Sequence, residues 1–172
     1  DLVRGSIVTD DTSDLVTLAD FARTTEFDDE NVARACVHGV LSALAFLHAL
    51  SVVHGDLDDQ RHIRVDVRAG SAAVRVALPN DYAASTRRYF GRIAKDLNDL
   101  GRALHSFIQG RHYASHARWV GLIAVLTQAV PDQRSTARQM LQNALFTQSP
   151  ISHDIPSARR LPPAYWLQIA HE

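Results

Sequence analysis

The stretch FDDENVARACVHGVLSALAFLHAL, residues 27 to 50, limits the possible folds more than any other part of the chain. Ala33, Val37, Val40, Leu41, Leu44 and Leu47 follow the i, i+3, i+4, i+7 spacing that gathers apolar side chains on one face of a helix. Asp28 or Asp29 can accept hydrogen bonds from the free N–H groups of the first turn. The remaining faces are also rich in apolar residues, which places this helix near the centre of a domain. A chain of 172 residues, 46% hydrophobic and 22% charged, has the material for one such domain with a tail.

The flanking segments supply the rest of the core. Ser6 to Thr9 reads as a short strand leading into a linker, and LVTLADFARTTE as a short helix with Asp14 as its N-cap. The runs His62 to Val67 and Ala72 to Leu78 alternate apolar and polar residues around Arg68-Ala69-Gly70-Ser71, the pattern of a hairpin. KDLNDLGRALHSFIQG restores helical spacing through Leu97, Leu100, Leu104, Phe107 and Ile108 and closes at Gly110. ARWVGLIAVLTQAV buries Trp119, Leu122, Ile123 and Leu126 before Pro131 stops it. A last helix, DQRSTARQMLQNALF, is capped by Ser135 or Thr136. The tail beyond holds four of the six prolines and the aromatic pair Tyr165-Trp166.

Charge and cysteine usage narrow the function classes. Eighteen basic and nineteen acidic residues leave a net charge of -1, so no overall field draws the chain to nucleic acid or to an anionic membrane. The apolar stretches read as interrupted by His, Arg or Gly short of a membrane span, and no signal peptide is visible. The single Cys36 sits in the apolar helix as a buried thiol and points to a reducing, intracellular and cytoplasmic setting. The chain starts at Asp1 without Met, which fits a processed chain or a fragment. His38 and His48 read as ordinary packed or capping residues, and His112 and His116 as a solvent-facing pair rather than a zinc site.

Three motifs in order carry a family resemblance. LSALAFLHALSVVHGDL, from Leu41 to Leu57, resembles the protein kinase segment in which a long helix passes through Leu-His into the His-Arg-Asp catalytic loop. DLNDLG, with Asp96 and Gly101, resembles the Asp-x-Trp-x-x-Gly opening of the helix beneath that loop. VPDQRSTARQMLQNALF resembles the closing helix of the family, with Arg134 at its anchoring arginine. The resemblance implies a mainly α, α+β fold: a kinase-like C-lobe, a helical bundle with a small β-hairpin and the N-lobe largely absent. Residues 1–13 then correspond to a residual strand and hinge, 14–146 to the lobe and 147–172 to the proline-rich tail.

The same resemblance implies that the chemistry is degraded. Phosphoryl transfer needs a base near the acceptor, oxygen ligands for magnesium and cations on the phosphates. His54 and Asp56 match the loop histidine and the base. The position of the magnesium-binding Asn is Arg61, or His62 with a slip of one, and the usual lysine after the base is replaced by Asp58, followed by Asp59. In place of Asp-Phe-Gly stand Leu78-Pro79-Asn80, with Asp81 three residues late. Gly55 replaces the arginine that holds an activation-loop phosphate. The activation segment is short, and the helix that the family places after Gly110 is missing.

Architectural residues are kept: Asp96, Gly101 and Arg134. Loss of chemistry with retention of scaffold is the pattern of a pseudokinase, without ATP, magnesium or another metal. Its expected partner is a protein or an adjacent domain of the same polypeptide, met through Tyr165 and Trp166. His-Gly-Asp-Leu is also how aminoglycoside and choline phosphotransferase relatives write the loop. A residual phosphotransferase completed by an N-lobe or partner outside this chain is therefore the alternative.

Overall fold

The computed structural model describes residues 15–57, 62–66, 73–76, 89–128 and 136–148. The apolar helix is its axis: α2 runs Glu30–Ala49, with Asp29 as N-cap accepting from the Asn31 amide. Every residue of its predicted stripe is buried. By length and composition α2 is long and apolar enough to cross a membrane, contrary to the sequence reading of interrupted apolar stretches. Here it is a core helix, because the hairpin, the 3-10 helix and the closing helices all pack on it.

The segment ahead of α2 is more broken than its periodicity suggests. Val16–Thr17 forms strand β1, Leu18–Phe21 the single turn α1, and Thr25–Asp28 a 3-10 helix. Thr17, not Asp14, caps α1: its hydroxyl accepts from the Asp20 amide at 3.0 Å. A β-branched pair that can join a sheet wins over continuation of the helix. Asp14 lies outside the described residues, as do the expected strand Ser6 to Thr9 and the whole of residues 1–13.

The hairpin forms from β2 (Ile63–Asp66) and β3 (Ala73–Val76), antiparallel with Ile63 opposite Val76 and Val65 opposite Val74. Strand β1 pairs with β2, giving a three-stranded sheet in the order β1-β2-β3 that the sequence did not announce. Val74 packs where α2 offers only Gly39; a Cβ there would stand 2.9 Å from that of Val74.

Helix α3 runs Tyr89–Ile108, starting six residues before the predicted Lys95, and the turn that follows it closes at Gly110 with φ +80°. Helix α4 follows at His116–Leu126 and stops before the expected Pro131, which is not among the described residues; the Thr127 hydroxyl donates to the Ile123 carbonyl at 2.8 Å. Residues 109–115 contain no helix, in keeping with the missing element. The closing helix is two short ones, α5 (Ala137–Met140) and α6 (Ala144–Thr147). Thr136 and Gln139 form a capping box on the first, and Asn143 caps the second from an extended backbone.

Helices α3 and α4 meet at Gly101, where an added Cβ would lie 2.7 Å from Thr127 Cγ2 and 2.8 Å from Leu126 Cβ. Gly101→Ala is therefore expected to lower stability by about 1–3 kcal/mol, because the contact is helix against helix and cannot open locally. Thermal melting checks this; an unchanged melting temperature would mean that the two helices do not approach so closely.

Candidate catalytic loop

The chain leaves α2 through Leu50 and Ser51, whose φ of +60° turns it back over the helix, and the Val52 amide caps the Leu47 carbonyl at 2.9 Å. Val53, His54 and Leu57 point into the core. Gly55 has φ +82°, a conformation that costs glycine little and other residues more. What the sequence shows as a lost arginine is thus also a residue suited to this backbone.

Asp96 holds the loop in place from beneath. Its fully buried carboxylate accepts from the His54 amide at 2.9 Å and from the Gly55 amide at 2.7 Å. His48 Nε2 lies 3.0 Å from the same carboxylate. The sequence predicts an ordinary packed histidine at His48; it is packed, and it is also part of this brace. The Leu47-His48 pair was the available signal.

Asp56 stands above the brace with its side chain about half exposed. Its amide donates to His54 Nδ1 at 3.3 Å, and its Oδ2 lies 3.4 Å from His62 Nε2. The His62 and His54 rings meet edge to face with centroids 5.4 Å apart. The structure thus brings His54, Asp56 and Asp96 together and adds His48 and His62. Gly101 serves the α3–α4 contact instead. Asp58, Asp59, Arg61, Leu78, Asp81, Arg134, Tyr165 and Trp166 lie outside the described residues.

Arg34, which no motif marks in the sequence, anchors the closing helices. It is buried in α2, and its Nε donates to the Leu145 carbonyl at 2.8 Å. Cys36 is inert by its surroundings: burial pushes its thiol up to about 12. His112 and His116 are exposed, and His112 lies ahead of α4 rather than on it. Among the described residues no group of three or more His, Cys, Asp or Glu side chains could hold a metal ion.

No protein-family model and no curated protein matches the chain. Among solved structures it is similar to a divergent kinase of Toxoplasma that lacks the glycine-rich loop and regulates membrane ultrastructure of the parasitophorous vacuole. The TM-score is 0.61 at 17% identity, over 81% of this chain and 56% of that one. The chain has a kinase-like fold. It spans little more than half the length of that structure. Within a kinase-like fold, α2 leads into the catalytic loop, the hairpin follows it, and α3 supplies the supporting Asp96.

Proposed function

We propose that this kinase-like module is catalytically inactive and works through protein contacts, as a scaffold or as a regulator of a larger assembly or of a kinase linked to it. One observation carries the reading: the buried brace on the loop backbone is intact, whereas the carboxylate it presents, Asp56, faces the imidazole of His62. In the family an oxygen ligand for magnesium stands at or next to that position. Magnesium prefers oxygen and keeps near-ideal octahedral geometry, so a ring nitrogen beside Asp56 is a poor substitute. Sequence supports the same conclusion at Arg61 and Leu78, where a cation and an alkyl group take the places of metal ligands. The balanced net charge gives no general attraction to nucleic acid or membrane, which favours a protein partner. Tyr165 and Trp166 are its contact residues, since aromatic anchors dominate interface energetics, and the lone cysteine fits an intracellular, reducing compartment.

The test is melting with ATP and magnesium. A ligand at a hundred times its dissociation constant adds about 2.7 kcal/mol, several degrees for a chain of this size. The expected result is no magnesium-dependent rise, and no difference between the unmodified chain and Asp56→Asn. A rise that Asp56→Asn abolishes would establish the second reading, a residual phosphotransferase completed by an N-lobe or partner. That alternative draws support from the half-exposed Asp56 and from the similar structure being a divergent kinase without a glycine-rich loop.

A further inference from the structure

Helix α4 is apolar on more than its buried side. Trp119, Leu122, Ile123 and Leu126 face the core, while Ala117, Val120, Gly121 and Ala124 are exposed on the outside. Val120, 49% exposed, is one of two large exposed hydrophobic residues among those described. Only His116 and Arg118 interrupt the apolar composition of this helix. Its neighbour α3 behaves differently and turns Lys95, Arg102, His105 and Ser106 to water. A helix apolar on all sides is normally covered on all sides.

The chain carries a segment suited to cover it. Helix α6 packs against α4 and ends at Thr147, with Gln148 as its C-cap, so the 24 residues that follow are tethered beside α4. Within them Leu161 to Ala170 contains no charged residue and includes Tyr165, Trp166, Leu167 and Ile169. Even partly extended, the 17 residues from Gln148 to Tyr165 reach farther than α4 is long. Fully extended, at about 3.3 Å per residue, a segment of that length reaches at most some 55 Å, against about 16 Å for eleven helical residues. A Cβ at Gly121 would meet nothing within 4 Å, so the space beside Val120 is open to an incoming side chain.

We infer that the outer face of α4, centred on Val120 and Gly121, is the docking site of the chain's own C-terminal segment around Tyr165-Trp166. Such docking deepens the interaction reading, because it names the surface that the aromatic pair occupies until a partner competes for it. The two are tested apart: nucleotide melting bears on catalysis, tryptophan exposure on docking.

The chain has two tryptophans, Trp119 in the core and Trp166 in the tail, so the emission of the full chain separates with Trp166→Phe as reference. Trp166 is expected to be shielded from acrylamide, and Val120→Arg to raise its quenching several-fold with a red shift, leaving Trp119 unchanged. Ala124→Arg, one turn along the same face, does the same should Val120→Arg disturb the helix. Trp166 fully open to quencher in the unmodified chain overturns the proposal. So does shielding that survives both arginine variants, which places the tail elsewhere, and shielding lost on dilution, which assigns the face to a second copy.

Discussion

Asp96→Ala is expected to remove about 3–5 kcal/mol of stability, a large share of the about 5–15 kcal/mol that holds a typical domain together. The carboxylate is fully buried and is the acceptor for the His54 and Gly55 amides, with His48 Nε2 at 3.0 Å. An alanine removes that acceptor from both loop amides, and the His54 amide sits in a buried place that water does not easily reach, at about 1–3 kcal/mol for a buried donor that loses its acceptor. Replacing an acceptor of several bonds by one methyl group also opens a void under the loop. Asp96→Asn keeps one oxygen and the shape, so it should lose clearly less. Chemical denaturation of both variants reads this directly. If Asp96→Ala matches the unmodified chain to within about 1 kcal/mol, the loop is not held by this carboxylate, and the preserved scaffold loses its physical basis.

This brace shows where sequence legibility ends. Helix α2 was readable because its burial pattern repeats along the chain, and the faces of α3 and α4 were readable for the same reason. Asp96 was readable only through the motif it shares with kinases. His48 was legible only as half of the Leu-His pair of that resemblance and not as part of the brace, because a single histidine in an apolar helix has no periodic signature and its role depends on a partner 48 residues away. Strand β1 has two residues, too few for alternation to show. The break at Asn143 had a local cause that the helical pattern concealed: a side chain that caps the next turn competes with continuation of the first. In the sequence Gly55 shows only as a missing arginine, whereas its backbone angle, invisible there, gives glycine its own reason to be at this position.

Trp119→Ala carries the other large expected effect, about 3–5 kcal/mol. For a chain of this size that is a fall of roughly 10 °C in melting temperature. The indole is fully buried, lies 5.4 Å from the Tyr113 ring and donates through Nε1 to the Glu30 carboxylate at 3.1 Å. Glu30 also accepts from the Ser115 amide at 3.2 Å, and the Tyr113 hydroxyl donates to the Phe27 carbonyl at 2.6 Å. Arg111, on the same link between α3 and α4, donates to the Phe107 carbonyl at 2.9 Å, stacks over Phe27 and contacts Asp28 and the Ala22 carbonyl. With no helix between Gly110 and His116, these contacts fix where α4 begins, so Trp119 anchors the shortened connection as well as filling the core. The two roles separate experimentally. Glu30→Gln keeps the packing and weakens only the polar anchor, and should cost no more than about 1–2 kcal/mol. Trp119→Phe keeps an aromatic ring and loses the indole donor, and should fall between Glu30→Gln and Trp119→Ala. If instead Glu30→Gln were as damaging as Trp119→Ala, the polar anchor rather than burial would set the position of α4.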